Sequence, residues 1–309
     1  MKVYHTLESF EPLPNAVVTS GTFDGVHQGH RKILSRLSEA AAQRRGETVV
    51  LTFWPHPRMV VSEDSHGLQL LSTIEEKTEL FRELEIDHLI ISPFTRAFSE
   101  LSPTEFIQQV LVDRIGTKRF VIGYDHRFGR NREGSFEFLQ KVAPDFGFEV
   151  EEISRQDIDE LAISSTRIRN ALLRGDVQEA SDLLGRPYQF SGVVVKGKQL
   201  GRTLGYPTAN IDVKENYKLI PANGVYAVKV MHQGEVLRGM LNIGVRPTVD
   251  GTSRTIEVNV FDFDQDVYGE RLVVELFAYL RPEMKFGNLE ELVAQLAEDK
   301  QKAIKAMRL

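Results

Sequence analysis

Two histidines, His27 and His30, close the stretch Gly21-Thr22-Phe23-Asp24-Gly25-Val26-His27-Gln28-Gly29-His30, in which every fourth residue from Gly21 is a glycine. Glycine at this density lets backbone N–H groups come close to an anion. Apolar Ala16-Val17-Val18 precedes the stretch, and Ile33, Leu34, Leu37, Ala40 and Ala41 follow it at helical spacing, so it is predicted to be a strand-to-helix turn. A helix N-terminus adds positive potential at the same mouth. Both imidazoles can donate hydrogen bonds to phosphate oxygens there. Gly21, Phe23, Asp24, Gly25, His27 and His30 are therefore the first candidates for a nucleotide-phosphate site. A metal centre on the two histidines lacks a third ligand at supporting spacing, and no HExxH pattern is present.

Further groups have the residue types for phosphate chemistry. Ser164, Ser165 and Thr166 bring hydroxyls to a predicted helix start, and Arg169 lies one turn on, suited to β- and γ-phosphates. Asp125 follows a predicted strand and is expected on the adenosine or acceptor side. In the run from Gly197 to Asn210, Gly197, Gly201 and Gly205 allow a backbone to wrap phosphates, while Lys198 and Arg202 bring positive charge. This run does not fit GxxxxGK[ST], so it is not a Walker-type loop. In the predicted strand from Arg254 to Phe261, Ile256, Val258 and Val260 share one face, and Thr255, Glu257 and Asn259 the other.

The elements that must position these groups change character along the chain. Up to residue 185, strand signals (47–53, 88–92, 119–123 and 148–153) alternate with helical ones. Thr73 with Glu76 forms a capping box, and Ser102-Pro103-Thr104-Glu105 is a strong helix start. Alternation of this kind predicts a doubly wound parallel sheet, with ligands beyond the carboxyl ends of its strands. After Gly185-Arg186-Pro187 the strand signals follow one another with turns between, as in an antiparallel barrel, and a final helix opens at Asn288 with Glu291. Residues 1–185 and 186–309 are the expected domains, an α/β unit followed by a β unit.

Among 309 residues there is no cysteine, which excludes disulfides and thiolate metal sites. A net charge of −6 argues against a nucleic-acid footprint. No apolar run is long enough to span a bilayer and no signal-peptide core is present, so no membrane partner and a cytoplasmic location are expected.

The histidine loop resembles the HxGH signature of nucleotidylyltransferases, and Ile163–Arg169 is similar to their ISSTxxR motif. Together with Thr52–Pro57, Gly123–Gly129 and the Pro207-Thr208-Ala209-Asn210 core of the second unit, the pattern resembles the bacterial bifunctional riboflavin kinase/FMN adenylyltransferase (FAD synthetase) family over nearly the whole chain. The resemblance implies a Rossmann-like adenylyltransferase domain and a riboflavin kinase barrel. Their substrates and products would be ATP, riboflavin, FMN and FAD, and their metal Mg²⁺. It implies that Pro55, His56 and Pro57 contact the flavin half of the acceptor, that Thr208 and Asn210 hold the magnesium ion, and that Glu257 is the general base. Arg246 is assigned to a flavin-side loop. Adenylyl transfer needs positioning and charge neutralisation rather than a covalent intermediate, which suits His27 and His30 at the α-phosphate. Histidine at 126 and asparagine at 259 depart from the family's usual phenylalanine and histidine. A flavin-binding regulator without turnover is the alternative, but it predicts substitution of Glu257, His30 or Arg169, and all three are present. A monomer or weak homo-oligomer is expected.

Overall fold

In the computed structural model, which describes residues 1–62, 67–154, 163–197, 200–248 and 251–307, alternate residues of the N-terminal strands part onto two faces. Ala16, Val18, Val49, Leu51, Phe120 and Ile122 enter one core, while Val17, Val50, Leu89 and Val121 enter the other. The strands are β1 (Lys2–Tyr4), β2 (Ala16–Ser20), β3 (Glu47–Trp54), β4 (His88–Pro93), β5 (Thr117–Gly123) and β6 (Glu149–Ile153). All their pairings are parallel, in the order β1-β4-β3-β2-β5-β6. Helices α1 (Gln28–Arg44) and α2 (Ile74–Glu83) cover one face through Leu34, Leu37, Leu80 and Phe81. The other face is covered by α3 (Phe106–Ile115), which is π-helical, and α4 (Phe136–Val142). The expected doubly wound sheet is present, with β1 as an edge strand that the sequence pattern did not show.

Beyond Ser164 the chain forms a second compact unit, Ser165–Leu309, beside Met1–Ser164. This division falls earlier than the change of texture at Gly185. The reason is packing: α5 (Ser165–Leu173) lies on α6 (Val177–Leu184), and α6 on two barrel strands, β7 (Tyr188–Val195) and β12 (Arg271–Arg281). Asp176 caps α6, and Gly185 ends it at φ 73°.

The barrel closes through β8 (Ala209–Asp212), β9 (Gly224–His232), β10 (Glu235–Thr248) and β11 (Gly251–Val260), in the order β10-β11-β8-β7-β12-β9. Helix α7 (Leu289–Ala306) packs on its outside, where Ala303, Leu296 and Ile304 meet Met240 and Phe261. The guanidinium of Arg281 donates to both carboxylate oxygens of fully buried Asp299 at 2.7–3.0 Å, pinning α7 to β12.

Candidate active sites

The strand order of the first unit reverses at β2, whose neighbours are β3 on one side and β5 on the other. A crevice opens at such a switch point beyond the carboxyl ends. The histidine loop leaves β2 there, and the segment carrying Asp125 and His126 leaves β5. Ser20 Oγ and His126 Nε2, 3.4 Å apart, join the two.

The loop is wound tightly. Gly25 has φ 84°, as glycine permits, but Phe23 (φ 47°) and Val26 (φ 40°) are left-handed too. For a β-branched residue this conformation costs about 1–3 kcal/mol and persists only where the surroundings enforce it. Four hydrogen bonds do so. Asp24 Oδ1 accepts from the N–H groups of Leu71 (2.8 Å) and Ser72 (3.3 Å). Gly25 N–H donates to Ser72 Oγ at 3.1 Å. Lys77 Nζ, on α2, donates to the Thr22 carbonyl at 2.7 Å. Asp24 is thus a buried clamp of the loop, a role its spacing did not reveal.

The turn delivers the two imidazoles stacked face to face, with ring centres 3.6 Å apart. His27 caps α1, and its Nδ1 accepts from the His30 N–H at 3.3 Å. The ring proton of neutral His27 therefore sits on Nε2. Phe23 meets the His30 ring edge-on at 5.2 Å. His30 Nδ1 is buried and makes no hydrogen bond among the described residues. An orphaned ring nitrogen at a helix N-terminus is a place for an anion's oxygen. Burial first, then the charges of His27 and Lys77, hold the His30 pKa well below its usual range. Burial likewise lowers Lys77 to about 8.

The flanking candidates differ in exposure. Asp125 is exposed. Buried His56 caps the short helix Pro57–Val61, its Nδ1 accepting from the Arg58 N–H at 3.2 Å. His126 is held between Phe120 and Phe128, and burial takes its pKa to about 4. Ser164 ends the first unit, while Ser165, Thr166 and Arg169 lie on α5 of the second, where Arg169 Nη1 donates to Thr166 Oγ1 at 3.4 Å.

In the barrel, Glu257 on β11 faces Asn210 on β8 and, on its other side, Asn242 on β10. A carboxylate thus lies between two amides across three strands. Thr208 Oγ1 donates to Glu257 Oε2 at 3.2 Å. Asn259, two residues along β11, donates through Nδ2 to the Pro207 carbonyl at 2.7 Å, which fixes the turn before Thr208. A Cβ on Gly197 would come within 2.2 Å of the Asn210 amide, so only glycine lets the chain pass there. A Cβ on Gly201 would lie 2.3 Å from the Tyr206 carbonyl, and Gly205 turns at φ 77°. Arg202 and Thr208 line a cavity of about 370 Å³ with His232, Leu237, Phe263, Asp266 and Tyr268. Lys198 lies outside the described residues, and Arg246 lies within β10 rather than in a loop. His232, Asn242 and Lys77 escaped sequence reasoning, since each has the residue type of an ordinary polar surface position.

No group of three or more His, Cys, Asp or Glu side chains able to hold a metal occurs among the described residues. Neutral oxygens from Thr208 and Asn210 beside one carboxylate are a different donor set. They suit a hard cation that takes its remaining ligands from phosphate and water.

The FAD synthetase family model matches residues 10–167, and the riboflavin kinase model residues 184–307. Bifunctional riboflavin kinase/FMN adenylyltransferase of Listeria monocytogenes is 42% identical over 93% of this chain and 91% of its own. That of Bacillus subtilis is 38% identical over 96% and 93%. The chain belongs to this bifunctional family. A crystal structure described as a macrolide-efflux protein from Streptococcus pneumoniae superimposes with a TM-score of 0.88 at 33% identity, covering 97% of each chain. No helix among the described residues is long and apolar enough to cross a membrane. The FAD synthetase match ends within α5 and the kinase match begins at the end of α6, so most of both helices falls between the two.

Proposed function

We propose that the chain makes FAD from riboflavin in two ATP-dependent steps, with the kinase in residues 186–309 and the adenylyltransferase in residues 1–185. In the first step the ribityl 5′-hydroxyl of riboflavin attacks the γ-phosphorus of ATP, giving FMN and ADP. Glu257 takes the hydroxyl proton as general base. Thr208 and Asn210 would hold Mg²⁺, which when bound would offset charge on the transferring phosphoryl group. Gly197, Lys198, Gly201 and Gly205 wrap the triphosphate, and Arg246 faces the flavin side.

In the second step an FMN phosphate oxygen attacks the α-phosphorus of another ATP, giving FAD and pyrophosphate. His27 donates from Nε2, and His30 fills its open hydrogen-bonding position on an α-phosphate oxygen. Gly21, Phe23 and Gly25 shape the loop, Asp24 clamps it, and Asp125 serves the adenosine or acceptor side. Ser164, Ser165, Thr166 and Arg169 receive the β- and γ-phosphates, and Pro55, His56 and Pro57 the flavin. This step would also need Mg²⁺, which would offset the charge of the triphosphate. The protein acts in the cytoplasm as a monomer or weak homo-oligomer, with small-molecule substrates and no nucleic-acid partner.

The observation that carries this reading is the Thr208–Glu257 hydrogen bond opposite Asn210, which unites base and metal-ligand types in one row. A flavin-binding regulator has no need of such a row. Purified protein given riboflavin, ATP and Mg²⁺ is expected to form FMN and then FAD, separable by chromatography. Flavin binding without either product would establish the regulator instead.

A further inference from the structure

We propose that Lys77 is a positioning residue for adenylyl transfer: its ammonium grips the Thr22 carbonyl and so keeps the strained turn Phe23–Val26 in the shape that presents His27 and His30. This rests on the adenylyltransferase reading of the first unit. Lys77 lies on α2, whose start is set by a reciprocal cap between Thr73 and Glu76, with hydrogen bonds of 3.0 and 3.2 Å. Its side chain is only 6% exposed, rare for lysine. Nζ lies 2.7 Å from the Thr22 carbonyl and 3.5 Å from Thr52 Oγ1 at the carboxyl end of β3. Thr52 Oγ1 itself donates to the Thr22 carbonyl at 3.4 Å, so one loop oxygen gathers donors from a neighbouring strand and a helix.

The residues on either side of this grip explain why it matters. Thr22 immediately precedes Phe23, the first residue forced to positive φ, and Val26, the second, immediately precedes His27. The clamps at Asp24 and Gly25 hold the middle of the turn from the segment Leu71–Ser72. Lys77 holds its beginning from the helix that this segment leads into. Without it, a left-handed Phe23 has one restraint fewer, and the Phe23 ring is what meets His30 edge-on. The charge of Lys77 also reaches His30, where it opposes protonation. The groups facing Lys77 are Asp24 on the loop and His30 on α1, with His27 stacked behind His30. The Asp24 carboxylate is already engaged by the N–H groups of Leu71 and Ser72, and an arriving triphosphate would add negative charge beside Lys77. Lysine here therefore does two jobs that an apolar residue of the same length cannot: it donates to a carbonyl, and it makes the pocket favour an anion.

The test compares Lys77→Met and Lys77→Arg with the wild type. FAD formation from supplied FMN is expected to fall about 30- to 100-fold in kcat in Lys77→Met, with KM for ATP changed less than about threefold, because misplaced catalytic groups cost rate rather than ground-state binding. Lys77→Arg, which keeps charge and donor, recovers a large part of the loss. Riboflavin phosphorylation stays at the wild-type rate in both. Titration of the His30 ring by NMR should show its pKa rising in Lys77→Met, a shift that a role confined to packing would not produce. FAD formation within threefold of wild type in Lys77→Met overturns the proposal. So does equal loss in both variants with an unmoved His30 titration, which would mark Lys77 as mere packing. A wild-type protein that forms no FAD from FMN would instead overturn the adenylyltransferase reading itself.

Discussion

Replacing Glu257 by glutamine isolates the chemistry of the barrel from its shape. Glutamine has nearly the volume of glutamate, and its amide oxygen can still accept from Thr208 Oγ1, now at 3.2 Å from the carboxylate. The pairing of β11 with β8 and β10 runs through the backbone and is untouched. What disappears is the ability to take a proton, and removing a general base typically lowers kcat about 10²- to 10⁴-fold, or roughly 3–5.5 kcal/mol of barrier. The assay supplies ATP and Mg²⁺ with either riboflavin or FMN and follows the flavins by chromatography. Phosphorylation of riboflavin should fall by that factor, while FAD formation from FMN remains at the wild-type rate. His30→Ala should show the reverse selectivity. A loss of less than tenfold in Glu257→Gln would refute Glu257 as the base, and an equal loss of both activities would refute the division of labour.

Two further substitutions test the local physics. His126 is held neutral by burial, with a pKa near 4 against an unfolded value near 6.5. Its contribution is complete above pH 6.5 and is lost as pH falls toward 4, because the unfolded chain takes the proton first. Between pH 7 and pH 4.5 the wild type should therefore lose about 2–3 kcal/mol relative to His126→Phe, measured by denaturant unfolding at both pH values. Parallel losses in the two proteins would contradict this. Gly197→Ala places a Cβ where the Asn210 amide now sits, 2.2 Å away. Riboflavin phosphorylation should need about tenfold more Mg²⁺-ATP for half-saturation, with FAD formation from FMN unaffected; an unchanged kinase KM would dissociate Asn210 from the nucleotide site.

Much of this architecture is legible in the sequence, and the exceptions share a physical cause. The buried strands of the sheet announce themselves as apolar runs such as Val49-Val50-Leu51, and the caps at Thr73, Ser102 and Asn288 are present as read. Strand β1 is three residues long with one charged, too short to carry a period. Strand β8 begins inside the glycine-rich run that ends at Asn210, so its sheet pairing is masked by turn residues. The apolar positions Phe106, Ile107, Val110 and Leu111 announce a helix but do not distinguish α- from π-winding. Of the proposed site residues, His27 and His30 stand out by type and spacing, and Thr208 and Glu257 through the family resemblance. The backbone-holding roles of Lys77, Asp24 and Asn259 are not legible, because each depends on an element far away in sequence. Lysine on a helix and aspartate in a turn look like solvated residues until the tertiary fold closes over them.

The destination of the phosphorus atoms of ATP tests the central claim most directly. With riboflavin and ATP labelled at the γ-phosphorus, the label should enter FMN and be carried from there into FAD. With ATP labelled at the α-phosphorus, it should enter FAD and never FMN. Absence of α-label from FAD, or its appearance in FMN, would contradict two ATP-dependent steps at differently attacked phosphorus atoms.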